Sequence, residues 1–125
     1  MAKTSRAGTD GGKLSGAKPA AVPHGLKRAQ LLELYRFIRL TRSLEERLVT
    51  LFKQSKVVGG LFRSLGQEGE SVASAYALRR RDDGTGDVLS PLIRNLGSML
   101  VMGARPVEVI RQYMAKGDSP TRGRS

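Results

Sequence analysis

From Leu31 onward the apolar positions keep a helical rhythm. Leu34, Phe37, Leu44, Leu48 and Leu51 follow alternating steps of three and four, with Thr41 in the one gap, and Leu31, Tyr35, Ile38 and Phe52 widen the stripe. No Gly or Pro interrupts the chain until Gly59. The pattern predicts one long amphipathic helix, about 40 Å if Gln30 to Lys56 are all helical. Gly59–Gly60 is its expected end. Arg42, three and four residues before Glu45 and Glu46, reads as an exposed-face pairing.

A second helix is expected over about Leu65–Leu78. Ser64 and Gln67 have the Ser-x-x-Gln spacing of a capping box, and Glu68 and Glu70 suit the positive helix end. Gly69, Ala73 and Ala77 stack at four-residue steps, a small face that reads as close helix packing. "RRRDDGTGD" is a turn on composition, and Val88–Leu89 is at most a short extended piece. Ser90–Pro91 has the form of a helix start, with Leu92, Ile93, Leu96, Met99 and Leu100 inward and Gly103 as the stop. Pro106 opens a last helix with Val107, Ile110 and Met114 inward, before Gly117 and Pro120. The expectation is a mainly α chain of about four helices with little strand.

Residues 1–25 break this texture: Gly, Ala, Ser, Pro and Lys with almost nothing bulky and apolar. Such a composition cannot offset the entropy of ordering, and the expectation is a disordered basic tail. Residues 26–125 then form the foldable part. The net charge is +11, of which the stretch to Arg28 carries +5. The rest is spread along every segment without interleaved aromatics, and the one dense cluster, Arg79–Asp83, is partly neutralised. Solvated charge on a basic protein explains this better than a dedicated nucleic-acid interface.

With no cysteine, the chain has no disulfide framework, thiolate nucleophile or Cys-based metal site. Its one histidine, His24, sits in the tail, which removes Ser/His/Asp catalysis and histidine metal centres from within this chain. No apolar run approaches ~20 residues, so no membrane span is expected and the compartment reads as cytoplasmic. "GTDGGK" at Gly8–Lys13 is one residue short of phosphate-loop spacing and follows no strand. The carboxylate pairs Glu45/Glu46, Glu68/Glu70 and Asp82/Asp83 fit ordinary helix faces or turns rather than acid–base catalysis. Arg94 stands apart, near an expected helix start among Leu92, Ile93 and Leu96. It is either a forked donor to a phosphate or carboxylate, or a snorkelling surface arginine.

Three stretches in order resemble one family. "IRLTRSLEERLVTLFKQSKVVGGLF", "SLGQEGESVASAYAL" and "LSPLIRNLGSMLVMGARPVEVIRQYMAKGDSPTRGR" are similar to the α subunit of thiamine-diphosphate-dependent 2-oxo acid dehydrogenases, of the pyruvate, branched-chain or acetoin type. The resemblance spans about Leu31 to Arg124. It implies the front portion of an α/β thiamine-diphosphate-binding fold, which uses the cofactor and Mg2+ to decarboxylate a 2-oxo acid oxidatively and pass the acyl unit to a lipoyl group. It also implies a β subunit in an α2β2 heterotetramer, and the lipoyl acyltransferase of the complex, as partners. Arg94 takes the place of the arginine that meets the cofactor diphosphate, and Ile93 and Phe62 line the cofactor site.

Two of these positions depart from the family. Many members have tyrosine where this chain has Ile93, and pyruvate-type members often carry histidine where it has Phe62. The loss of both polar groups implies a more apolar pocket. The family's metal-binding Gly-Asp-Gly and later Asn, and its catalytic histidines, have no counterpart in this sequence. The expectation is therefore the N-terminal part of such a subunit, truncated at its C-terminal end, with no catalytic or metal residue of its own and inactive alone. The alternatives are a standalone non-catalytic helical module that docks onto a β subunit and, third, a small basic nucleic-acid-binding protein.

Overall fold

The computed structural model describes residues 25–81, 83 and 85–124. The expected tail, apart from Gly25, and His24 lie outside the described residues, as does Asp82. The fold is mainly α. Four helices follow one another, and no strand occurs among the described residues: α1 Arg28–Lys53, α2 Glu68–Tyr76, α3 Leu96–Val101 and α4 Pro106–Tyr113. None is long and apolar enough to cross a membrane.

The 26 residues of α1 make a rod of about 39 Å. Gln30 accepts the Lys27 backbone N–H at 2.8 Å and satisfies one of the donors orphaned at a helix start. Its stripe is buried as the period predicts, at Thr41, Leu44, Leu48 and Leu51, while Tyr35 and Phe52 at its edges stay exposed. The helix stops earlier than Gly59. Ser55 turns left-handed at φ 55°, and the Lys56 N–H closes back onto the Leu51 carbonyl at 3.0 Å. Ala115 at φ 48° ends α4 in the same way, with Lys116 bonded to the Arg111 carbonyl at 3.0 Å. Gly103, at φ 106°, is the left-handed stop of α3 that its position predicts.

The other helices pack along α1. Leu44 and Leu48 meet Leu96, Leu100 and Val109 in one core cluster, and Val72, Ala75 and Val101 form a second against Leu34, Phe37 and Ile38. Close approach does occur in this chain, but not along the expected stripe. Gly69, Ala73 and Ala77 are exposed, and a Cβ added at Gly69 would meet nothing within 4 Å. The buried side of α2 is Glu68, Ser71, Val72 and Ala75. Facing it is Gly97, where an added Cβ would press on Ser71 Oγ, lie 2.9 Å from Val72 Cγ2 and 3.2 Å from Thr41 Oγ1. Beside it the Ser98 hydroxyl donates to the Ser71 carbonyl at 2.6 Å. Here α1, α2 and α3 come together.

Ser90–Pro91 does not begin a helix. The chain runs irregularly to a turn in which Asn95 N–H bonds the Leu92 carbonyl, and α3 has only six residues. Leu92 and Ile93 are 78% and 63% exposed, and Met99 is exposed too. With no core to meet, the first expected turns gain no packing, and packing is what stabilises short helices. In α4 the buried position is Val109, and Val107 is exposed rather than inward.

Candidate functional site

A buried polar network sets where α2 begins. Glu45, on the core side of α1, is 2% exposed. Its Oε1 accepts the Ser64 backbone N–H at 2.8 Å and the Ser64 hydroxyl at 2.5 Å. Ser64 is thus a tether to α1 and not the cap of α2, whose N-cap position is Gln67. One turn away, Arg42 pairs with Glu68 at 2.5 Å, and the second Glu68 oxygen accepts the Gly66 N–H at 2.9 Å. The Arg42 hydrogen bond holds the Glu68 carboxyl below the usual carboxylate range against the opposing effect of burial. Arg42 therefore reaches across to α2 and not along its own helix. The Arg63 guanidinium stands 3.9 Å from the remaining Glu45 oxygen, which has no hydrogen-bond partner among the described residues.

One clue to this network was in the sequence. Glu45 lies four residues after Thr41 and three before Leu48, a carboxylate placed on the apolar stripe itself.

Next to the α2 start, Gln67, Glu70 and Ser71 face Leu92, Ile93, Arg94 and Asn95 across a cleft of about 230 Å³. The exposed Arg94 guanidinium and Glu70 carboxylate have no ion-pair partner within 4.0 Å among the described residues. Of the residues singled out in the sequence, Ile93 and Arg94 share this cleft. Phe62 is not among its lining residues; it is 47% exposed and its ring lies over Gly60.

Leu92 and Ile93 also border a larger apolar groove of about 490 Å³ between α3, α4 and the C-terminal loop. Gln112 holds that loop, accepting the Thr121 N–H at 3.2 Å and donating to the Arg124 carbonyl at 3.1 Å.

The fit of a diphosphate cofactor with its metal can be judged on these residues. Arg94 can donate a fork to one anionic group. Glu70 in the same cleft opposes a multiply charged anion, and no group of three or more His, Cys, Asp or Glu that could hold a metal ion occurs among the described residues. The described residues alone do not fit the cofactor with its metal.

No family model matches the chain, and no solved structure matches it. Among curated proteins it is similar to the 2-oxoisovalerate dehydrogenase subunit alpha of Bacillus subtilis (strain 168), 28% identical over 99 residues. That match covers 79% of this chain and 28% of the relative's length. The comparison supports a resemblance to the α subunit of a 2-oxo acid dehydrogenase at low identity, over little more than a quarter of that subunit's length.

Proposed function

We propose that this chain corresponds to the front segment of an α subunit of a thiamine-diphosphate-dependent 2-oxo acid dehydrogenase, inactive by itself. The observation that carries the reading is the 28% identity over 99 residues to the 2-oxoisovalerate dehydrogenase subunit alpha. Residues 26–125 are the segment in question, and Arg94 is its contribution to the cofactor diphosphate. The guanidinium is exposed and has no ion-pair partner among the described residues, which leaves its donors accessible to an anion. Ile93 gives the site beside Arg94 its apolar character, while Phe62, proposed for the same site, lies outside that cleft.

The cofactor supplies the carbanion chemistry. Metal ligands and proton-transfer groups come from outside the described residues, and the acyl unit passes to the lipoyl group of a partner enzyme in the cytoplasm. The open face of Gly69, Ala73 and Ala77 packs against a further part of the α2β2 assembly. The same face supports a second reading, a non-catalytic module that docks onto a β subunit.

Calorimetric titration of thiamine diphosphate with Mg2+ into the 125-residue chain tests the first reading. It predicts no saturable heat, and stoichiometric binding would overturn it.

A further inference from the structure

The apolar groove between α3, α4 and the C-terminal loop is distinct from the Arg94 cleft, with which it shares Leu92 and Ile93. Leu92, Leu96, Met99, Val109, Tyr113 and Pro120 line its volume of about 490 Å³. Its polar lining is already engaged. The Gln112 amide accepts the Thr121 N–H and donates to the Arg124 carbonyl, and the Glu108 carboxylate pairs with Arg105 at 2.8 Å. An occupant therefore gains by burying apolar side chains rather than by making hydrogen bonds. Leu92 and Met99, 78% and 39% exposed, still show to water much of the surface that such contact would cover.

The walls select the occupant's charge. From α3 to Arg124 the chain carries Arg105, Arg111, Lys116, Arg122 and Arg124 against Glu108 and Asp118. Both carboxylates are paired inside the walls, Glu108 with Arg105 and Asp118 with Arg111 at 3.3 Å. Lys116, Arg122 and Arg124, all exposed, remain as a positive surplus on the segment whose Pro120 and Thr121 form one wall. A second copy would bring the same surplus and a net charge of +11, so like charge opposes self-association through this groove.

We propose that this groove is the docking site for an acidic amphipathic helix of a partner protein. Its large apolar side chains, at steps of three and four, enter between α3, α4 and the loop, and its carboxylates lie toward Lys116, Arg122 and Arg124. A groove of this size takes the few anchors of one helix face rather than the surface of a domain. The inference goes beyond the subunit role proposed above, because it needs neither Arg94 nor a cofactor.

The test is an NMR titration of the 15N-labelled 125-residue chain with a helical peptide of about 15 residues, leucine at steps of three and four and glutamate on its outer face. Saturable shifts at the amides of Leu92, Met99, Val109 and Gln112 are expected, with a dissociation constant on the order of 10 μM. A peptide of the same composition with its leucines scattered around the helix should bind roughly 10-fold or more weaker, and so should one with alanine for leucine. Lysine in place of glutamate should weaken binding by roughly the same factor. Leu92→Asp should weaken the parent peptide roughly 10-fold, and Lys116→Glu with Arg122→Glu roughly 3-fold or more; all three positions are exposed, and unchanged amide dispersion checks that the variants fold.

No saturable shift overturns the proposal, and so does equal binding by the scattered or the lysine peptide. Groove shifts that grow with protein concentration in the absence of peptide assign the groove to a second copy and overturn it too. A single-stranded oligonucleotide is the polyanion control: if it moves the same amides as tightly as the peptide does, charge alone accounts for binding and the helix site fails. Arg94→Gln should bind the peptide as the parent chain does, which keeps this result separate from the fate of the cofactor role. Loss of peptide binding in that variant would move the site to the Arg94 cleft and overturn the groove.

Discussion

Glu45 on α1 takes both the backbone N–H and the hydroxyl of Ser64, nineteen residues later, on a single carboxylate oxygen at 2.8 and 2.5 Å. This contact ties the segment after Gly60 to the middle of α1, and so fixes the position from which α2 and its cleft start. Replacing Glu45 by Ala leaves two buried Ser64 donors without an acceptor. A loss of about 1–3 kcal/mol is expected, read as a lower urea midpoint with little change in slope.

Close packing at Gly97 gives a second expectation. Gly97→Val drives methyl groups into Ser71, Val72 and Thr41 and should destabilise by about 1–3 kcal/mol or more. Gly69→Ala is the matched control. It stands in the first turn of α2 with open space around it, and should be neutral or stabilise by about 0.5–1 kcal/mol. Thermal melts of the two variants distinguish buried from open glycine.

Most of the helical plan was legible in sequence because the stripe of α1 repeats over many turns and each turn reinforces the same face. The capping of α2 and the start of α3 were not. Ser64 and Ser90–Pro91 carry genuine local signals, but a cap contributes only about 1 kcal/mol, and a buried partner decides between competing uses. Ser64 has such a partner in Glu45, while Leu92 and Ile93 have no core to enter. The Arg94 cleft was half visible: the arginine stood out, but Glu70 opposite it is 24 positions away in sequence and only the fold brings them together.

Two helix ends rely on left-handed residues that bear a Cβ. Ala115, at φ 48°, is the simpler to test, because its side chain makes no polar contact that glycine would remove. Ala115→Gly should raise stability by about 1 kcal/mol, a gain visible in the melting temperature.

Acid should weaken the Arg42–Glu68 link. The Glu68 carboxyl is held below its unfolded value, so its stabilisation is complete above the ordinary carboxylate range near ~4.3 and is lost as pH falls through the lower folded value. Glu68→Gln should therefore be less stable than the parent at pH 7, and the gap should close toward pH 3. Urea midpoints across that range measure it.

The proposed role of this chain is that of the front segment of a 2-oxo acid dehydrogenase α subunit, with Arg94 as its contact to the cofactor. The most direct measurement replaces the matching segment of the Bacillus subtilis α subunit with residues 26–124 of this chain. The chimera, combined with its β subunit, is then assayed for 2-oxo acid decarboxylation against thiamine diphosphate concentration, with and without Arg94→Ala. An assembled, active chimera is expected, in which the substitution raises the cofactor requirement by about 10-fold or more. An assembled chimera whose cofactor dependence is indifferent to Arg94, or one that fails to assemble while the parent subunit does, would contradict that role.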